Sequence, residues 1–248
     1  MPLITKICWL MLNGVQLVIT LLYSAFWISI ALLLRVLTGS ARVPLRMARW
    51  IWAPVLIHGA PARFEVRGLD RVDFSQPCVL VANHQSMIDV PALFLAVPVP
   101  LRFMLKSELG RMPFLGWYTQ AMGMVFVNRG DPGQAQKQLQ GAVASVRQGN
   151  HVAAFPEGTR SRDGTVRVFK SGAFRVAIGA SANVVPVAIS GSGKVMPPGG
   201  FHIRPGKIIV EFGEPIATAG LTRTDYRDLA SQARQAIIDM TDGQGREP

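Results

Sequence analysis

The chain has 248 residues, 17 % of them charged, and a formal net charge of +11 from 26 Lys and Arg against 15 Asp and Glu. The length allows one sizeable domain with an accessory element, and the charged share falls below the roughly 25 % of soluble domains, so part of the molecule is not built to face water. Two cysteines, Cys8 and Cys78, give no disulfide framework and no cysteine metal cluster, and the basic excess suits anionic partners: nucleic acid, anionic lipid or an acidic carrier.

Residues 7–34 carry no charged side chain. As one helix they would extend about 42 Å, against a hydrocarbon core of roughly 30 Å. The stretch therefore crosses with tilt, or breaks near Asn13-Gly14 and lies partly in the interface; it is too long for the apolar core of a cleaved signal peptide. Arg42, Arg46 and Arg49 then share one helical face, with Met47, Trp50, Ile51 and Val55 on another and Trp50 and Trp52 at the apolar edge. That pattern fits a helix resting on an anionic membrane surface; the alternative is a core-packing helix with a solvated arginine face. Pro54 is expected to kink or end it. Lys6 alone precedes the apolar run, whereas Arg35, Arg42, Arg46 and Arg49 follow it, which predicts a cytoplasmic position for the rest of the chain.

Beyond residue 63, short apolar runs alternate with helical stretches. Strands are expected at Phe64–Arg67, Cys78–Ala82, Arg102–Leu105, Met124–Val127, Val152–Phe155, Val184–Ile189 and Ile208–Phe212. Helices are expected at Met87–Ala96, Glu108–Gln120, Gln134–Gln148, Ala173–Ala180 and Asp225–Met240. Strands that are apolar throughout argue for an α/β fold with a mainly parallel or mixed sheet covered by helices on both faces, here with an N-terminal helical membrane element. The expected division is residues 1–60 as membrane-anchoring helices, 61–241 as the catalytic domain and 242–248 as a polar tail.

The chemistry gathers at expected strand ends. Val79-Leu80-Val81-Ala82 delivers Asn83-His84, and Asp89 follows His84 by five positions across a chain reversal. Open α/β sheets place ligands at that edge. A carboxylate on one imidazole nitrogen fixes the tautomer and leaves the other as a base able to take a hydroxyl proton. The same residues also read as a capping box, with Ser86 at the helix cap and Asp89 three positions in. Phe155-Pro156-Glu157-Gly158-Thr159-Arg160-Ser161 ends a second run with a carboxylate, a glycine that allows close backbone approach, and a guanidinium suited to phosphate. Lys106 and Arg129 end two more. A base beside a basic rim suits a hydroxylated phosphate ester. Gly191-Ser192-Gly193-Lys194 lacks the flanking residues of a phosphate-binding loop and of a nucleophile elbow. No histidine pair has metal-ligand spacing. The single strand-end cations do not form a nucleic-acid face.

Asn83-His84-Gln85-Ser86-Met87-Ile88-Asp89 resembles the HX4D motif of the glycerolipid acyltransferase family. Phe126-Val127-Asn128-Arg129, Phe155–Ser161 and Val185-Pro186-Val187-Ala188-Ile189 resemble its next three blocks in order. Phe169–Phe174 and Lys106–Leu109 are also similar to family segments, and the chain is most like the bacterial members that acylate lysophosphatidic acid. The resemblance implies a glycerol-3-phosphate acyltransferase-like fold, with His84 as general base and Asp89 as its orienting partner. It puts Arg129, Glu157, Gly158, Thr159 and Arg160 at the glycerol phosphate, adds Lys106 and Lys170 as anion contacts, and assigns Pro186 to the acyl-donor side. It implies acyl transfer from acyl-CoA or acyl carrier protein to the sn-2 hydroxyl of lysophosphatidic acid, giving phosphatidic acid, with no metal or bound cofactor and no acyl-enzyme. The expected partners are a lysophospholipid acceptor, the thioester donor and an anionic membrane surface; the expected location is the cytoplasmic side of a bacterial inner membrane. Acylation of another lysolipid, such as a lyso-ornithine lipid, is the same-class alternative, and a catalytically inactive membrane-binding protein is the different-class one.

Overall fold

The computed structural model describes residues 3–128 and 130–244. Seven strands form one sheet: β1 (Ala62–Arg67), β2 (Val79–Ala82), β3 (Leu101–Lys106), β4 (Val125–Val127), β5 (His151–Ala154), β6 (Val184–Ser190) and β7 (Gly206–Phe212). Their spatial order is β1-β7-β6-β2-β5-β3-β4. β6, β2, β5, β3 and β4 pair in parallel, so their C-terminal ends share one edge. β7 runs antiparallel to β6, and β1 is parallel to β7. The connection, residues 191–205, holds only the short helix Ser192–Val195 and no helix long enough to carry the chain back across a face of the sheet.

Both faces of the sheet are covered, which accounts for the unbroken apolar strands. Along β2, Leu80 and Ala82 join a core with Leu93, Phe94, Phe103 and Phe212. Val79 and Val81 point the other way, into a core with Val146, Phe174, Val176 and Ile237. Helices α4 (Asp89–Ala96), α5 (Leu115–Ala121), α6 (Pro132–Arg147), α7 (Gly172–Ala180), α8 (Ser192–Val195) and α9 (Tyr226–Gln244) supply the cover. Two expectations need correction here. The helix expected over Glu108–Gln120 is instead a tight turn at Ser107–Arg111 followed by α5, because Pro113 cannot continue the backbone ladder. The expected tail begins too early: α9 runs through Gln244, and residues 245–248 lie outside the described residues.

The chain before β1 is a helical hairpin. α1 (Leu3–Thr38) is unbroken, and its segment Cys8–Thr38 is long and apolar enough to cross a membrane. Asn13-Gly14 does not interrupt it: the Asn13 amide Nδ2 donates to Trp9 O (2.8 Å) and its Oδ1 accepts from Ile203 N (2.7 Å). The returning helix runs as α2 (Arg42–Met47), a wide π turn (Ala48–Trp52) and α3 (Ala53–His58). Pro54 neither ends nor separates it; the chain widens into the π turn just before the residue that lacks an N–H. Leu45, Ala48, Ala53 and Ile57 pack into the sheet core, while Val43, Trp50 and Val55 stay exposed. The arginines do not share one fate. Arg42 and Arg46 are exposed, but Arg49 turns inward and donates to Leu95 O (3.5 Å), in the last turn of α4, and to Pro98 O (3.2 Å) just beyond it. α1 is bonded to its surroundings at intervals: Gln16 Nε2 to Gly59 O (2.8 Å), Tyr23 OH to Ile51 O (2.8 Å), Trp52 Nε1 to Ser24 Oγ (3.0 Å) and Arg35 Nε to Ala121 O (3.1 Å). Its opposite face, from Leu10 and Met11 through Val18, Leu22 and Phe26 to Leu33 and Val36, is exposed.

Candidate active site

The site is built on the end of β2. Asn83, the first residue beyond the strand, is buried and staples β2 to β6: its Nδ2 donates to Ile189 O (2.9 Å) and its Oδ1 accepts from Ile189 N (2.7 Å). His84 follows and is held by the neighbouring β5 loop. Its N–H donates to Glu157 Oε1 (2.9 Å), its carbonyl accepts from Ser161 N (2.7 Å), and its ring stacks on Phe155 with centroids 4.1 Å apart. The backbone and one ring face are thereby fixed before any ligand arrives.

The His84 Nδ1–H donates to Asp89 Oδ2 at 2.8 Å. That same oxygen accepts from Gln85 N (2.7 Å) and Ser86 N (2.8 Å), and the residue is 0 % exposed. A carboxylate already receiving two backbone donors can only accept, so the proton sits on Nδ1 and Nε2 carries the lone pair. Asp89 Oδ1 is buried without a partner. The capping-box bonds are present as well: Asp89 Oδ2 takes the Ser86 N–H and Ser86 Oγ accepts from Ile88 N (3.3 Å), so one carboxylate both fastens the turn before α4 and holds the His84 ring. α4 begins at Asp89 with Ile88 in the cap position; the Asp89 carboxylate serves the loop before the helix, and Ser86 Oγ donates to Met196 O (2.6 Å).

The second loop is tied to the first through Glu157. Its Oε1 takes the His84 N–H and its Oε2 takes the Arg167 N–H (3.3 Å), so both oxygens are engaged by backbone. Burial pushes the Glu157 carboxyl above its usual range, while the His84 and Arg167 amides act against that rise. Gly158 has φ +77, a conformation costly for any residue with a Cβ. Thr159 is exposed and Arg160 half-buried on the same turn. Asp163 folds the rest of the loop by accepting from Ser161 Oγ (2.8 Å), Thr165 Oγ1 (2.8 Å) and Thr165 N (3.1 Å). Hydrogen bonds from Thr165 and Ser161 hold its carboxyl down at about 2. Lys170 is exposed, and its N–H donates to Pro156 O (2.9 Å), which draws its segment to this loop. Lys106 is exposed at the end of β3, the neighbour of β5 on the same edge. Arg129 lies outside the described residues.

The structure thus brings Asp89 to the His84 ring and Glu157 to the His84 backbone, and sets Gly158, Thr159, Arg160, Lys170 and Lys106 on adjoining strand-end segments. Pro186 is apart from them: it is buried within β6 opposite Val81 of β2. Asn83 and Phe155 support the candidate site and were not singled out by the sequence, and Ser86 was read there only as a helix cap. An asparagine at the exit of a buried strand was a signal for the first; Phe155, the last residue of an apolar run, reads only as core. Among the described residues no cluster of His, Cys, Asp and Glu could hold a metal ion. A histidine base with a buried carboxylate behind it, beside exposed cations, can deprotonate a hydroxyl on an anionic substrate.

A family model described as Acyltransferase matches residues 63–190. A chloroplastic 1-acyl-sn-glycerol-3-phosphate acyltransferase of Arabidopsis thaliana is 34 % identical over 77 % of this chain and 52 % of its own. A lyso-ornithine lipid O-acyltransferase of Pseudomonas aeruginosa is 32 % identical over 86 % of this chain and 84 % of its own. The crystal structure of the 1-acyl-sn-glycerophosphate acyltransferase of Thermotoga maritima superposes with a TM-score of 0.79, at 25 % identity, over 98 % of both chains. The chain spans about half the length of the plant and algal relatives it matches, 43 %, 52 % and 48 % of them.

Proposed function

The chain belongs to the acyltransferase family, and from that premise we propose that it transfers a fatty acyl chain from acyl-CoA or acyl carrier protein to the sn-2 hydroxyl of lysophosphatidic acid, giving phosphatidic acid. The observation that carries the reading is the His84 ring, held at Nδ1 by the buried Asp89 carboxylate at 2.8 Å, with Nε2 left as the base. Nε2 takes the hydroxyl proton as the acceptor oxygen attacks the thioester carbonyl. The tetrahedral intermediate then collapses, the C–S bond breaks, and the departing sulfur takes the proton from the imidazolium. Asp89 stabilises the imidazolium while it exists. Lys106, Arg160, Lys170 and Arg129 bind the acceptor phosphate, with Arg160 the residue suited to bidentate contact. Gly158 and Thr159 shape the turn that presents it. Glu157 acts through the backbone of His84, as a positioning residue.

A second acceptor has support of its own. The relative that acylates lyso-ornithine lipid aligns over more of its length than the Arabidopsis relative does. The exposed strand-end cations favour the phosphate acceptor over an ornithine headgroup, whose own amine would be repelled there.

The hairpin supports an interfacial mode of membrane binding. From Asn13 to Arg35, α1 is bonded to the body of the protein over about 33 Å, as much as the hydrocarbon core is thick. Crossing the bilayer would carry the body in with it, so α1 lies along one leaflet with its apolar face down. Arg35, Arg42 and Arg46 sit at one end of the hairpin, where anionic headgroups attract them. We assign that leaflet to the cytoplasmic side of a bacterial inner membrane, where the thioester donors are. The test is thioester consumption by the purified chain with lysophosphatidic acid vesicles. Release should require the acceptor and fall at least about 100-fold in His84→Ala. Acceptor-independent release, or an unchanged His84→Ala, contradicts the mechanism.

A further inference from the structure

The segment after Lys106 carries a feature that the hairpin does not explain. Between Ser107–Arg111 and α5, Phe114 has φ +59 and ψ −63, and Leu115 N donates to Pro113 O at 2.6 Å. This is a γ-turn of the strained hand, rare for a residue with a Cβ. Such strain persists only where the surroundings hold it, and observed strain is a reason to look for function. Here it is held: Gly116 N donates to Met112 O (2.8 Å), Tyr118 N to Phe114 O (2.9 Å) and Gln120 Nε2 to Gly110 O (2.6 Å). The strained turn does not bury the ring it distorts. Phe114 is 49 % exposed and Trp117 56 %, and the two rings pack on each other at 5.2 Å. Met112 and Leu115 are exposed beside them. Ordered exposed aromatics on a rigid turn mark a contact surface.

Two observations identify the partner. α5, which carries part of the patch, packs on α1 and is joined to it by Arg35 Nε to Ala121 O (3.1 Å), and α1 there exposes Leu33, Val36 and Leu37. The patch is also flanked by the exposed cations Lys106 and Arg111. Aromatic and aliphatic side chains ringed by basic ones fit the headgroup boundary of an anionic bilayer.

We infer that Met112, Phe114, Leu115 and Trp117 form a second membrane-inserting element, separate from the hairpin, that seats the mouth of the site in the lipid surface. It rests on the lysolipid acyltransferase reading for its purpose. Its place, one short turn after strand-end Lys106, lets an acceptor move from the bilayer into the site with its chain still in lipid.

Phe114→Gly is the discriminating variant, because glycine adopts φ +59 without strain. It should keep or raise the melting temperature. It should also raise the KM for lysolipid presented in phosphatidylcholine–phosphatidylglycerol vesicles by about tenfold, the scale of one lost aromatic contact. Activity on a short-chain lysolipid presented as monomer should not change. Phe114→Ser with Trp117→Ser should raise the vesicle KM further, and Trp117→Phe should stay near wild type. The emission difference between wild type and Trp117→Phe isolates Trp117, and acyl-brominated lipid should quench it. An unquenched Trp117, an unchanged vesicle KM, or equal losses on both acceptors at unchanged melting temperature would overturn the proposal. So would concentration-dependent self-association that the double serine variant abolishes, which would assign the patch to a second copy. If wild type acylates neither acceptor, the activity reading fails while the quenching still decides the patch.

Discussion

Asp89→Asn separates the roles of the carboxylate because the structure dictates which way the amide must face. Oδ2 receives three donors, from His84 Nδ1 and from the Gln85 and Ser86 amides, while Oδ1 receives none. An asparagine therefore keeps its carbonyl in the Oδ2 position and puts its NH2 where Oδ1 was. The reverse orientation would face two backbone donors with a donor. The imidazole tautomer is then preserved, and what is lost is the charge opposite the imidazolium. A unit charge at about 4 Å in an effective dielectric near 20 is worth about 4 kcal/mol as an upper bound, and the retained carbonyl dipole recovers part of it. A loss of about 2–4 kcal/mol is expected, or about 30- to 1000-fold in kcat. KM should change little. The orphaned NH2 adds a stability cost of about 1–3 kcal/mol, since a buried donor without a partner loses its solvation. Steady-state kinetics on vesicles, thermal unfolding and the 15N shifts of the His84 ring measure all three. Wild-type kcat would reduce Asp89 to a loop fastener, and a proton found on Nε2 would refute the orientation argument.

The remaining expectations concern neighbouring groups. Glu157→Gln can accept from only one of the two amides Glu157 now serves. The shorter bond to His84 should survive and that to Arg167 should go, so unfolding should show about 1–3 kcal/mol of destabilisation with acceptor KM unchanged; a raised acceptor KM would make Glu157 a substrate contact. Arg160→Ala should raise the acceptor KM well above any change in donor KM, and the opposite pattern would reverse its assignment. Asp163 is held at about 2, below its ordinary 3.8. A carboxylate with a depressed folded pKa stabilises the fold above the unfolded value and loses that contribution as pH falls through the folded one. The gap in melting temperature between wild type and Asp163→Asn should therefore close as pH falls from about 4 towards 2; parallel curves would contradict the cause assigned to the shift.

Much of the molecule was legible because burial on both faces writes itself plainly. Val79-Leu80-Val81-Ala82 and Val184–Ile189 have no polar face, so strands between helices were the natural reading, and His84 and Asp89 stood at the exit of one of them. Direction was not legible: the apolar run Ile208-Ile209-Val210 does not say which way β7 runs, and its antiparallel pairing with β6 is visible only in the structure. Helical spacing put Arg42, Arg46 and Arg49 on one face, but spacing says nothing of a partner elsewhere, and the carbonyls of Leu95 and Pro98 draw Arg49 inward. The bonds that Glu157 makes were not legible either: its two partners are backbone amides, which no sequence pattern announces. The strained Phe114 was hidden because the helix expected over Glu108–Gln120 ran straight through it, and no residue type announces a positive φ at a phenylalanine.

The acceptor is the claim on which the account turns. Purified protein should be given equal amounts of lysophosphatidic acid and lyso-ornithine lipid in one vesicle preparation, with a single labelled acyl-CoA, and the products identified by mass. Phosphatidic acid as the dominant labelled product, with the new chain at sn-2, is the expected result. Labelled ornithine lipid in its place, or label left on the thioester, would contradict it.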